Sequence, residues 1–287
     1  MYRSRRGGNV EPMAIGAHLP IALFDSGMGG LTVFKAISKC LPYEDLLYLG
    51  DTARLPYGTK GQTTIIRYTL SAARTLLKRG VKMLVVACNT ATANALPHLK
   101  QEFASLPIIG VVEPGARAAL KVSANGRILV IATEATIKSG VYTQAIHALN
   151  KDAQIAAQAC TLFVPVAEEG LLEGPIVEAL IHHYLDAWLD APDSQRPDTM
   201  LLGCTHFPLL KQSLARVVGP SIQVVDPAEM VADTVKAQLT ELQLLKPDKT
   251  KGLRHFMTTD NKERFARTGS LFLGQPLPTT SIELVDL

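Results

Sequence analysis

Eight short runs of branched and leucine-rich residues constrain this chain more than any other feature. They fall at residues 21–24, 46–49, 83–87, 108–112, 128–132, 155–160, 199–202 and 222–225, each closed by a polar or glycine loop. Runs this short and this apolar suit strands buried on both faces, the pattern of parallel sheets covered by crossover helices. Helical patterns fill the intervals at residues 31–40, 63–79, 139–149, 175–189, 207–217 and 228–245, several with apolar residues three and four apart. The expected fold class is α/β.

Two of these runs resemble each other closely. Met83-Leu84-Val85-Val86-Ala87-Cys88-Asn89-Thr90 matches Thr199-Met200-Leu201-Leu202-Gly203-Cys204-Thr205-His206 as strand, small residue, cysteine and polar residues able to start a helix. The strand before Asp25-Ser26 has a counterpart in residues 128–132 followed by Thr133. We therefore expect two similar domains with parallel-type sheets, related by a pseudo-two-fold, each giving one cysteine to a cleft between them. The turn at Glu113-Pro114-Gly115 marks the expected boundary. Residues 21–113 and 224–287 then form the first domain, residues 114–223 the second, and residues 1–20 a flexible extension.

Composition narrows the function. The chain has 287 residues and a net charge of +3, of which Arg3, Arg5 and Arg6 against Glu11 supply two, leaving +1 from Met13 onwards. A body this neutral argues against a nucleic-acid footprint. The basic arm fits a flexible tail, or a true start at Met13. No run approaches the roughly 18 apolar residues of a membrane helix, and no apolar segment follows the arginines to make a secretory signal. A cytoplasmic protein is expected. Its cysteines, Cys40, Cys88, Cys160 and Cys204, are widely spaced, which suits free thiols better than disulfides or a zinc ribbon.

In parallel sheets ligands bind beyond the carboxyl ends of the strands. Three loops there carry chemistry: Asp25-Ser26-Gly27-Met28-Gly29-Gly30, Cys88-Asn89-Thr90 and Cys204-Thr205-His206. A cysteine between strand and helix has its sulfur near the positive end of the helix dipole, which lowers a thiol's pKa. One such cysteine alone is better explained as a small buried hydrophobe at a strand end. Two in matching contexts suit a reaction that needs an acid and a base on opposite faces of one carbon. His206 is either a helix-capping residue or a proton carrier beside Cys204. Asp25 is either an N-cap or a carboxylate acting on a thiol or an ammonium group. The glycines after it lack the spacing of a dinucleotide or P-loop cradle, so no nucleotide cofactor is indicated, and no second Cys/His pair completes a metal site. Of Glu168 and Glu169 one can face the cleft, whereas Cys40 and Cys160 fit structural positions.

Five segments together resemble the glutamate racemases of the aspartate/glutamate racemase superfamily. They are residues 24–33, residues 48–51 with 55–58, residues 87–91, residues 110–115 and residues 202–209, carrying the Asp-Ser-Gly, Pro-Tyr-Gly, Cys-Asn-Thr and Gly-Cys-Thr-His pieces. The resemblance implies interconversion of L- and D-glutamate for peptidoglycan, without cofactor or metal, by a cytoplasmic homodimer. It implies that Cys88 takes the α-proton of the D isomer with help from Asp25, and Cys204 that of the L isomer with help from His206 and Glu168. Substrate binding would fall to Asp25, Ser26, Tyr57, Gly58, Asn89, Thr90, Thr133, Thr136, Thr205 and His206. Ala132 and Ala135 stand where the family commonly has glycine. The alternatives are a racemase of aspartate or another amino acid, a related decarboxylase needing one cysteine, and a non-catalytic amino-acid-binding protein.

Overall fold

A computed structural model describes residues 15–287. The chain runs β1 (Ile21–Asp25), α1 (Leu31–Cys40), β2 (Leu46–Gly50), α2 (Gln62–Leu77), β3 (Met83–Val86), α3 (Asn89–Glu102) and β4 (Ile108–Gly110). It continues through α4 (Val112–Val122), β5 (Arg127–Ala132), α5 (Glu134–Ser139), α6 (Val141–Leu149), β6 (Gln154–Ala159), α7 (Phe163–Glu168), α8 (Pro175–Leu189), β7 (Thr199–Gly203), α9 (Lys211–Val218) and β8 (Gln223–Val225). Last come α10 (Ala228–Glu241), β9 (Arg254–Thr258), α11 (Lys262–Leu273) and β10 (Ile282–Leu284).

The strands form two all-parallel sheets, ordered β10-β9-β2-β1-β3-β4 and β6-β5-β7-β8. The inner order β2-β1-β3-β4 repeats as β6-β5-β7-β8, so β3 with its cysteine corresponds to β7 with its own. The direction of winding reverses between β1 and β3, and again between β5 and β7, where the carboxyl ends leave a crevice. Side chains alternate across each strand. Ile21 and Leu23 of β1 enter one core while Ala22 and Phe24 enter another on the opposite face. Likewise Leu129 and Ile131 of β5 face one core and Ile128 and Val130 the other. Helix α10 follows the second sheet in sequence but packs Val231, Val235 and Leu239 against Leu31, Phe34 and Ile37 of the first unit.

Several local expectations are corrected. The expected turn at Glu113-Pro114-Gly115 is the first turn of α4. Proline is tolerated there because first-turn N–H groups have no partner within the helix. The expected helix at 139–149 is α6, which begins at Val141, and a short helix that was not expected, α5, precedes it across Gly140 at φ +66. The one expected from 207 begins as a 3-10 turn, Phe207–Leu210, before α9. The segment carrying β9, α11 and β10 has no counterpart in the sequence reading.

Residues 1–14 of the expected extension lie outside the described residues, but 15–20 are held to the body. Ile15 packs on the core beside α2, and the Ala17 carbonyl accepts from Lys82 Nζ at 2.6 Å. Lys82 also pairs with Glu44, and the two side chains are only 0% and 3% exposed. Removing one partner of a buried pair strands the other charge. Lys82→Met should therefore cost about 3–5 kcal/mol in urea unfolding; a loss under about 1 kcal/mol would mean the pair behaves like a solvated one.

Candidate active site

The carboxyl ends of β1 and β3 face those of β5 and β7 across a narrow cleft. Its walls are Ser26, Gly27, Leu55, Pro56, Tyr57, Gly58, Cys88, Asn89 and Thr90 from one side and Thr133, Val164, Glu168, Cys204, Thr205 and His206 from the other. The enclosed space is about 30 Å3. That is room for a water or two.

Cys88 is the N-cap of α3, and the Ala91 N–H approaches its sulfur at 3.4 Å. Ser26 Oγ also lies 3.4 Å from it. These contacts favour thiolate, as the sequence led us to expect, but they are outweighed. Burial, reinforced by the Asp25 carboxylate, pushes the Cys88 thiol up to about 12. Asp25 itself is fully buried behind the wall, held by the Gly27 N–H at 2.9 Å and by Thr205 Oγ1 at 3.4 Å. Burial raises its pKa against the opposing pull of His206 and these hydrogen bonds.

Cys204 has a different setting. A 3-10 turn rather than an α-helix follows it, so the helix-dipole argument does not carry over. Its partner is His206, whose Nδ1 lies 3.9 Å from the sulfur. On the other edge of the ring, Nε2 lies 3.1 Å from Glu168 Oε1. Burial opposes an imidazolium here, yet the Cys204 sulfur and the Glu168 carboxylate hold the His206 pKa up at about 10. Burial likewise works against the Glu168 carboxylate, but His206 and Arg264 together keep its pKa below the usual value. Glu169, the alternative left open by sequence, is exposed.

The expected binding residues divide. Thr90, Thr133 and Thr136 form a closed triangle of hydroxyls at 2.9, 3.0 and 3.3 Å that joins α3 to α5. Thr136 stands behind the other two rather than at the wall. The Tyr57 ring lines the cleft, but its hydroxyl is committed to Asp51 at 2.6 Å. Gly58 is required by close approach, because a Cβ there would lie 2.6 Å from Thr133 Cβ. Cys160 is buried away from the wall and Cys40 lies at the end of α1, in keeping with structural positions. Among the described residues no group of three or more His, Cys, Asp or Glu is arranged to hold a metal ion.

Two neighbours escaped the sequence reading. Tyr142 of α6 donates to Asn89 Oδ1 at 2.5 Å across the cleft, and Arg264 of α11 donates to Glu168 Oε2 at 3.1 Å. Tyr142 sits in an amphipathic helix and Arg264 in a polar stretch, so neither had a local signal.

The model of the Asp/Glu/Hydantoin racemase family matches residues 29–235, which take in the carboxyl ends of β3, β5 and β7 and begin just after that of β1. The chain belongs to that family. A member of it, the glutamate racemase of Geobacter metallireducens, is 46% identical over 257 residues, 90% of this chain and 93% of the relative. The crystal structure of Francisella tularensis glutamate racemase in complex with D-glutamate is 34% identical with a TM-score of 0.86, covering 94% of this chain and 98% of its own. The Thermus thermophilus glutamate racemase in complex with beta-chloro-D-alanine is 40% identical with a TM-score of 0.83, over 95% and 98% of the two chains.

For a racemase built this way, backbone at Gly29 must pass directly under the catalytic candidates of the opposite side. A Cβ there would collide with Thr205 Oγ1 and His206 Nδ1. Gly29→Ala is expected to lower racemisation about 100-fold, the cost of a misplacement of roughly 1 Å. The unfolding temperature should barely move, since each sheet has its own cores. Full activity in the variant would show that the two sides do not close this tightly during turnover.

Proposed function

We propose that this protein interconverts L- and D-glutamate without a cofactor, with Cys88 and Cys204 as the two acid–base groups. The observation that carries the reading is the placement of two thiols at corresponding strand ends of two facing sheets, on opposite walls of one closed cleft. The chemical obstacle is the weak acidity of a carbon bonded to both a carboxylate and an ammonium group. A base on one face and an acid on the other let the proton leave and return without a free carbanion in water.

The environments assign the roles. In the empty cleft Cys88 is a thiol, and Cys204 has the His206 imidazolium beside it, 3.9 Å from sulfur to Nδ1. That state is ready to take a proton from L-glutamate at Cys204 and deliver one from Cys88. After one turnover the protonation of the two sulfurs is exchanged, which is the state that accepts D-glutamate. Asp25 supports Cys88 and the Glu168–His206 pair supports Cys204. The substrate carboxylates are held by Ser26, Asn89, Thr90, Thr133 and Thr205, with Tyr57 and Gly58 completing the wall and Thr136 bracing the threonines. Donors fixed around the carboxylate stabilise the charge that develops as the α-proton leaves.

A cleft of about 30 Å3 cannot admit an amino acid as it stands. In this reading the two units, one built on each sheet with β8 (Gln223–Val225) in the second rather than in the expected first domain, part to bind substrate and close to exclude water. Supply of D-glutamate for peptidoglycan, a cytoplasmic location and a homodimer belong to the same proposal and are supported by the family resemblance.

The test is circular dichroism of L- and D-glutamate incubated with purified protein and no added cofactor. Both signals should decay to zero, and Cys88→Ser or Cys204→Ser should slow the decay by about 100-fold or more. Decay with aspartate alone would keep the two-thiol mechanism and change the substrate. A stable signal with either amino acid would sink the catalytic reading.

A further inference from the structure

Glu168 uses both carboxylate oxygens, and the two partners come from opposite sides of the cleft. Oε1 faces His206 on the same side at 3.1 Å, while Oε2 accepts from Arg264 Nη2 of α11 at 3.1 Å. Helix α11 belongs to the first sheet's layer, where Phe265 is buried against Tyr48 with ring centroids 6.1 Å apart. We propose that Arg264 is a positioning residue that fixes Glu168 from the opposite unit, so that the Glu168–His206 pair beside Cys204 is assembled only when the cleft is closed. This rests on the racemase reading above and adds a residue to it.

Three observations support the assignment. The Glu168 side chain is 6% exposed whereas that of Arg264 is 46% exposed, so the carboxylate depends on its partners far more than the guanidinium does. A buried carboxylate left with one neutralising partner instead of two is costly and shifts toward its protonated form, which no longer offers the His206 imidazolium a negative charge. Second, the start of α11 is fixed. Asn261 holds a left-handed φ of 21°, and its side chain accepts from the Arg264 N–H at 2.8 Å, while Thr52 Oγ1 accepts from the Asp260 N–H at 3.1 Å. Third, the same helix touches the histidine directly. Phe272 meets the His206 ring edge-on, with centroids 5.2 Å apart and planes at 79°. One helix of the first unit therefore sets both the orientation of the ring and the charge state of the carboxylate behind it. Parting the units would remove both contacts at once and leave Glu168 and His206 free to relax.

The experiment compares Arg264→Gln, Arg264→Lys, Glu168→Gln and the Arg264→Gln/Glu168→Gln double variant in glutamate racemisation from both isomers. Because the enantiomers are equal in energy, kcat/KM must fall equally in the two directions, and the informative quantities are its size, the split between kcat and KM, and the coupling. We expect Arg264→Gln to lower kcat/KM about 10- to 100-fold, mainly through kcat. Arg264→Lys should recover part of the loss, and the double variant should be no slower than Glu168→Gln alone, as for residues acting through one another. A wild-type rate in Arg264→Gln, or losses that simply multiply in the double variant, overturns the proposal while the racemase reading stands. Wild-type protein inactive on glutamate would overturn both. Arg264 is half-exposed, so the fold should survive its loss; should Arg264→Gln not fold, Arg264→Lys decides, a partial loss of kcat supporting the proposal and a wild-type rate overturning it.

Discussion

In the proposed reaction a thiol both gives a proton to carbon and takes one from it, which calls for shielding from water, and shielding pushes a thiol's pKa upward. Everything around the cleft answers that constraint. Cys88 is buried behind two strand ends and beside a carboxylate, and the thiol is driven to about 12 although a helix start points at it. Cys204 is buried too, but its neighbour is an imidazolium kept charged with the help of a carboxylate. The two halves of the molecule repeat one topology, but the electrostatics on their facing ends are opposite in sign: Asp25 behind one sulfur, His206 beside the other. A symmetric fold thus presents an asymmetric pair, which a reaction needing one acid and one base at any moment requires.

The sheets supply the shielding. Parallel strands covered on both faces leave only their ends for chemistry, and the order β2-β1-β3-β4, repeated as β6-β5-β7-β8, opens a crevice at the same place in each. Bringing these crevices face to face makes a site whose walls come from loops of five or more separate segments. Rigidity comes from the strands, while each functional group sits in the first residues beyond them, where side chains and helix-start N–H groups converge.

Much of this was legible in sequence because the signal was local. The runs ending at Asp25, Cys88 and Cys204 are apolar, short and followed by small or polar residues, and the likeness of residues 83–90 to 199–206 carried the duplication. What was not legible depended on contacts distant in sequence. The strand Arg254–Thr258 includes Arg and His because its first residues lie at the sheet's amino end near solvent, so it lacks the apolar run that marked the others. Glu113-Pro114-Gly115 has the composition of a turn, yet a first helical turn tolerates all three. The direction of the Cys88 shift was misread because a helix start is visible in sequence, whereas full burial and the nearness of Asp25 are properties of the closed fold. Tyr142 and Arg264 escaped for the same reason: their meaning lies entirely in what they touch across the cleft.

Those cross-cleft contacts have a common character. Apart from the Phe272–His206 ring contact, these are polar and join residues at or next to the site: Thr90 with Thr133 and Thr136, Asn89 with Tyr142, Asp25 with Thr205, and Glu168 with Arg264. The buried apolar cores lie mainly within the separate sheets, and the apolar bridges between the units are few: Leu209 and Ala135 pack on the first unit's two cores and Met230 on one of the second's. Separating the units therefore exposes hydrogen-bonding groups that water can satisfy and little apolar surface, which makes opening inexpensive compared with unfolding. Under the proposed opening and closing, closure and assembly of the site would be one event, since the polar groups that join the units include those beside the two thiols. A substrate bridging both walls with its carboxylates would replace water at these groups and draw the cleft shut around its own α-carbon.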